Sequence, residues 1–329
     1  MIGSTLDTPS LAIEDLHVTY QGARPVPAVR GVSLTVHTGE TVALLGESGC
    51  GKTATARAVM GLLEPGTEVT GRIGYRDENL LDLPTARRRS LAGSEIAMVF
   101  QDAQSALNPA YSVGAQIAET FQVHQGTRKR EALSRAVELI ERVGIPEPAH
   151  RARQYPHQLS GGMRQRIIIA MAVALGPNVL LADEPTTALD VTVQAQIIAL
   201  LKDLQREYRT ALLLITHDLA VAAQIATRGV VMYAGQVVET GPLQRLYQRP
   251  RHPYTIALLQ SVPRVDRRVE ELGSIPGSPP DPAALPEGCP FAVRCPFADD
   301  LCRAEVPELR VLADETLAAC HHAEVVAGE

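Results

Sequence analysis

"GESGCGKT", residues Gly46–Thr53, decides how this chain of 329 residues is read. An apolar run of buried-strand length, "TVALL" at Thr41–Leu45, comes just before it, and a helical pattern over Lys52–Leu63 comes just after. Strand, glycine-rich turn and helix start, in that order, make the spacing G-x-x-x-x-G-K-T a phosphate-binding loop. The glycines at 46, 49 and 51 let successive backbone N–H groups converge on phosphate oxygens, and the helix adds its partial positive end. Glu47, Ser48 and Cys50 complete the cradle. Lys52 is expected to reach the β- and γ-phosphates, and the Thr53 hydroxyl to coordinate Mg²⁺. Cys50 lies among N–H donors beside Lys52, a setting that predicts a thiolate open to alkylating reagents and protected by MgATP.

A second stretch supplies the carboxylates such a loop needs. "VLLADEP" at Val179–Pro185 is an apolar strand ending in Asp183, which places one carboxylate where phosphates and Mg²⁺ would lie. Glu184 follows and is suited to orienting or deprotonating an attacking water.

Short β-rich runs alternate with helical patterns around these two stretches. Leu11–Tyr20, Val32–His37 and Ala211–Thr216 read as strands, and Val230–Tyr233 with Gln236–Glu239 as a hairpin about Ala234-Gly235. Lys129–Val143 carries apolar residues at Leu133, Ala136, Val137, Ile140 and Val143, closed by Gly144, and predicts an amphipathic helix within a helical insertion. Twelve of the 23 prolines fall from Pro242 onward, including "SIPGSPPDPAALP" at Ser274–Pro286. A boundary is therefore expected near residue 245, between an α/β domain and a small irregular extension over 246–329.

Composition excludes several classes. A formal net charge of −6, with Arg87–Arg89 as the only notable basic run, argues against a nucleic-acid binder held by its overall field. The longest apolar stretch, Ile167–Leu175, has nine residues where a membrane span needs about 20. "MIGSTLDTPS" at the start has no secretory character, so a cytosolic chain with reduced cysteines is expected.

"LSGGM" at Leu159–Met163 resembles the signature of ATP-binding-cassette (ABC) ATPases, and the rest of that family's ordered motifs accompany it. Tyr20 matches the aromatic that stacks on adenine, and Gln101 in "MVFQD" the glutamine that senses Mg²⁺ and γ-phosphate. "TALD" at Thr187–Asp190 matches the loop at the dimer interface, and His217 in "LLLITHD" the switch histidine. The resemblance covers residues 11 to about 245 and implies a P-loop α/β core with an antiparallel β subdomain and a helical subdomain at about 102–175. Ser160, Gly161 and Gly162 open a helical run at Met163–Leu175, a second helix N-terminus able to bind phosphate. In the family this loop closes over ATP held by the other subunit, so each site needs two chains.

"PHQLSGGM", "DEPTTALDVT", "VMYAGQVVETG" and "RHPYTIALLQSVP" narrow the resemblance to the ATPase subunits of oligopeptide and dipeptide importers. That membership implies a homologous or identical second ATPase and two membrane-spanning permeases docked near Asp102–Gln125. It also implies an extracytoplasmic solute-binding protein and a peripheral position on the cytoplasmic face of the inner membrane. Importers of nickel, opines or other small solutes, and soluble ABC proteins acting on ribosomes or DNA, are the rival readings.

Four of the five cysteines, Cys289, Cys295, Cys302 and Cys320, lie in the last 41 residues. Thiolates in a proline-rich cytosolic segment predict a metal staple. Zinc, free thiols or an adventitious disulfide fit the residues too, and His321 or His322 could replace one ligand. The importer resemblance favours a 4Fe–4S cluster on the four cysteines.

Overall fold

The computed structural model describes residues 8–187, 189–261, 275–312 and 315–326. Residues 1–7, Ala188 of "TALD", Val262–Pro263 and Ser274 lie outside them. The chain forms two compact units: one of residues 8–10, His37–Glu40 and Asp82–Leu213, the other of Leu11–Val36, Thr41–Leu81 and 214–326.

The second unit contains a four-stranded antiparallel sheet in the order Val26–Val36, Leu11–Tyr20, Glu68–Tyr75, Glu78–Asn79. Leu11 faces Val36 and Tyr20 faces Val26. Ile13 and Leu16 are both buried although three residues apart, which strict alternation forbids. The register shifts between them, and Asp15 takes a φ of 47°; this bulge turns the apolar side chains back to the core. The Val26–Val36 strand is longer than the expected Val32–His37.

In the same unit Thr41–Leu45, buried at every position, pairs in parallel with Arg228–Tyr233. That strand returns through Ala234 (φ 46°) and Gly235 (φ 83°) into Gln236–Pro242. Two successive positive φ values match the twist of a two-residue hairpin, as the sequence predicts. Leu317–Ala318 adds to this hairpin through Glu239 opposite Ala318, and Arg310–Val311 adds to Leu317–Ala318. The helix after the phosphate loop is Lys52–Met60, three residues shorter than expected, because Gly61 (φ 70°) ends it in the left-handed region. One apolar cluster joins residues from both sides of position 245, among them Leu45, Val231, Tyr233, Tyr254, Leu258 and Phe291.

The first unit sets Ile96–Val99 in parallel against Val179–Asp183. Its helices include Val113–Gln125, Lys129–Arg142, Gly161–Val173 and Val191–Tyr208. Lys129–Arg142 is the predicted amphipathic helix: Ala136, Ile140 and Val143 are buried as expected, Leu133 and Val137 are half-buried, and Ala132 and Leu139 are buried besides. Arg135 lies 3.8 Å over the Phe121 ring and ties it to Val113–Gln125. No helix among the described residues is long and apolar enough to cross a membrane.

Candidate nucleotide site and cysteine cavity

The loop is built so that glycine alone fits its two fixed ends. At Gly46 (φ 149°) a Cβ would lie 2.3 Å from the Met232 carbonyl oxygen, and at Gly51 (φ 104°) 2.3 Å from that of Ala28. Gly51 starts the Lys52–Met60 helix without any side-chain cap, so that helix end offers its N–H groups. Lys52 is 4% exposed, and its Nζ donates to the carbonyls of Gly46 (2.7 Å) and Glu47 (2.8 Å). The ammonium is thus already desolvated, and a phosphate oxygen could take the place of either carbonyl.

Cys50 does not behave as the sequence predicts. Its Sγ lies 3.7 Å from Lys52 Nζ, as expected, but the side chain is buried. Burial pushes the thiol up, outweighing the opposing pull of Lys52. The expected reactive thiolate gives way to a neutral packing group.

Tyr20, half-buried, ends its strand in the same unit; His217, exposed, follows the strand Ala211–Thr216. Asp218 then caps Leu219–Ile225 by accepting from the N–H groups of Ala220 (2.8 Å) and Val221 (3.2 Å).

The first unit carries the remaining motif residues. Asp183 closes its strand 2% exposed. Glu184 next to it has a φ of 44°, a left-handed conformation that costs an acidic residue of the order of 1 kcal/mol or more. Its Oε2 accepts from Gln101 Nε2 (2.9 Å) and Thr187 Oγ1 (2.8 Å). Sequence spacing did not foresee the Gln101–Glu184 bond, which spans 83 residues. The signature helix begins at Gly161, two residues before the expected start, because Ser160 caps it by accepting from Met163 N–H at 3.3 Å.

Two further residues hold the phosphate loop, and neither was singled out in the sequence. Glu47 N–H donates to the Tyr254 hydroxyl at 2.7 Å. The Glu47 carboxylate receives a two-pronged contact from Arg294, Nη1 to Oε2 at 2.7 Å and Nη2 to Oε1 at 3.1 Å. The pairs span 207 and 247 residues, beyond the reach of motif spacing.

All four cysteines of the extension line one small cavity, with His252, His321 and His322 also on its wall. Cys289 N–H donates to the Cys302 carbonyl at 2.8 Å and brings the first and third together. Burial raises all four thiols, Cys320 to about 12, so a metal must displace protons from a dry pocket. The metal-ligating atoms within 4.8 Å of one another among the described residues are those of Asp299, Cys302 and His322, not the four sulfurs. One zinc ion at about 2.3 Å from each sulfur would hold them closer than that. The four thiols share one cavity wall but are not drawn together into a single ligand set in this arrangement.

A family model described as "ABC transporter" matches residues 29–187, and one described as "Oligopeptide/dipeptide transporter, C-terminal region" matches 238–302. The dipeptide transport ATP-binding protein DppD of Escherichia coli is 50% identical over 95% of this chain and 96% of its own length. The chain belongs to the ABC transporter family. The Bacillus subtilis DppD is 48% identical, with 94% of this chain and 93% of the relative covered. Among solved structures, the ATP-binding cassette MJ0796 as a post-hydrolysis dimer bound to ADP and Pi is 28% identical, with a TM-score of 0.64 over 71% of this chain and 98% of that one. The second model begins at residue 238, ahead of the boundary expected near 245 in this ABC chain, and ends at 302, before Cys320.

Proposed function

We propose that the chain is the ATP-hydrolysing subunit of an importer for dipeptides or oligopeptides. The observation that carries this reading is the phosphate loop, whose glycines at 46 and 51 leave no room for a side chain and whose lysine is already buried among carbonyls. Relatives named for dipeptide transport, matched nearly end to end, support the substrate class.

In this reading Lys52 and the N–H groups of the 46–53 loop other than that of Glu47, which the Tyr254 hydroxyl takes, hold the phosphates, Thr53 and Asp183 hold Mg²⁺, and Tyr20 stacks on the base. Glu184 orients and deprotonates the attacking water, and Gln101, already bonded to that carboxylate, brings the metal and γ-phosphate into register with it. His217 contacts the γ-phosphate. Ser160, Gly161 and Gly162 complete the ATP site of a partner ATPase, so ATP favours the closed pair and hydrolysis releases it. The solved cassette dimer with ADP and Pi supports such a pair. Closure drives two permeases fed by an extracytoplasmic binding protein, from the cytoplasmic face of the inner membrane.

We place the cassette at residues 1–245 and the extension at 246–329. In the same reading Cys289, Cys295, Cys302 and Cys320 hold a 4Fe–4S cluster, supported by the one cavity whose wall all four share. When bound, the cluster cross-links four points of a segment with little apolar core.

Reconstitution with the permeases and binding protein tests the assignment. Labelled dipeptide uptake that needs ATP and disappears in Glu184→Gln supports it. Uptake of nickel or an opine in place of peptides, or co-purification with ribosomes, overturns the substrate class.

A further inference from the structure

Arg294 sits next to Cys295, yet its charge is spent on the phosphate loop. The side chain is 3% exposed. Its Nε donates to the Pro276 carbonyl (2.7 Å), and Nη2 donates to the Ile275 carbonyl (3.3 Å) besides Glu47. Nη1 meets the Tyr233 hydroxyl (3.4 Å) besides Glu47. Every nitrogen of the guanidinium is thus committed, and its plane lies near the rings of Tyr233 and Phe291. Bonding to Glu47 holds the guanidinium charged far above any working pH.

Glu47 is the second residue of the phosphate loop, and its carboxylate is an awkward neighbour for triphosphate. Left alone, a fixed negative charge beside the phosphates repels them. The guanidinium fork neutralises that charge and draws it to the extension side, while Tyr254 fixes the Glu47 N–H from the same side. We propose that Arg294 is a positioning residue for ATP binding, through which the four-cysteine extension sets the nucleotide affinity of the phosphate loop. Cys295 is adjacent in the chain, and Cys289 and Cys295 bracket the short turn Ala292–Arg294, so filling the cysteine cavity fixes the stem from which the guanidinium reaches. This last link rests on the metal reading of the cavity; the effect of Arg294 on ATP does not.

MgATP binding to the full chain, measured by calorimetry with Glu184→Gln present throughout to prevent turnover, tests both parts. Arg294→Gln is expected to weaken MgATP binding about tenfold, equivalent to about 1.4 kcal/mol. Adding Glu47→Gln to Arg294→Gln is expected to restore affinity to within about threefold of the starting protein, since the uncompensated carboxylate is gone. An arginine that merely holds the extension in place gives no rescue, and a double variant as weak as the single one overturns the proposal. Should Arg294→Gln not fold, Arg294→Lys, whose single ammonium cannot make the fork, is expected to show a smaller loss with the same rescue. Metal content is measured on every sample. Stripping the metal is expected to weaken MgATP binding of the protein with Arg294 intact and to leave the double variant unchanged. An equal effect on both overturns the link from cavity to loop. A sample that never holds metal removes the metal reading, while the rescue still decides the role of Arg294.

Discussion

The phosphate loop and the cysteine extension, proposed here as cradles for a phosphate and for a metal, are built by opposite means. The loop uses eight consecutive residues whose backbone is forced, since Gly46 and Gly51 have nowhere to place a Cβ. The extension uses four side chains spread from 289 to 320, gathered by turns, a carbonyl bond between Cys289 and Cys302, and short strands at a sheet edge. A cradle made of backbone is specified locally and keeps its form empty. A cradle made of distant side chains is specified only when the fold brings them together.

The contrast can be broken at the loop first. Lys52→Ala is expected to lower ATP hydrolysis by about a thousandfold, because a preorganised charge on the transferred phosphoryl is lost; phosphate release at saturating MgATP measures it. Glu184→Gln is expected to cost about 10²–10⁴ in kcat while leaving MgATP bound, the pattern for loss of a base rather than of the cradle. Next in size, Gly51→Ala is expected to destabilise the chain by about 2 kcal/mol or more and to abolish nucleotide binding, since a positive φ and a 2.3 Å clash coincide there. Thermal unfolding together with nucleotide titration checks this.

The extension side is sharpened by its cysteines. Replacing Cys289, Cys295, Cys302 or Cys320 with serine is expected to empty the cavity of metal and to lower the unfolding midpoint by several degrees, while the Lys52 loop still binds nucleotide more weakly. Elemental analysis beside a melting curve decides it, and unchanged metal in all four variants would sink the ligand set. The smallest effect belongs to Cys50. Its thiol is raised by burial, so it is protonated at neutral pH, and alkylation, which needs the thiolate, is expected to be slow at pH 7 and to keep accelerating above the ordinary thiol range. Fast modification at pH 7 that MgATP blocks would restore the sequence-based expectation.

Legibility followed the same division. Leu11–Tyr20, Ala211–Thr216 and the hairpin about Ala234-Gly235 were readable because period and turn chemistry are local. Glu68–Tyr75 was not, since Gly71 and Gly74 interrupt its pattern and its place is set by pairing with Leu11–Tyr20. The motif residues Lys52, Asp183 and Glu184 were readable as types at spacings, but the Gln101–Glu184 bond and the grip of Tyr254 and Arg294 on Glu47 depend on folding over long separations. Cys50 shows the limit from the other direction: its neighbours along the chain were read correctly, and desolvation, a property of packing, decided the outcome.

The apolar cluster that joins Leu45, Val231 and Tyr233 to Tyr254, Leu258 and Phe291 bears on how such chains can be cut and recombined. Tyr254 and Phe291 are among the largest fully buried side chains, and both pack against Tyr233, Tyr254 tilted and Phe291 edge-on. A protein ending at residue 245 would expose the aromatic wall they cover and lose the hydroxyl that holds Glu47. Grafting this extension onto another cassette, or shortening this one, therefore requires redesigning the strand and hairpin beneath it. The extension is interior material for the nucleotide-binding half and is not a detachable accessory.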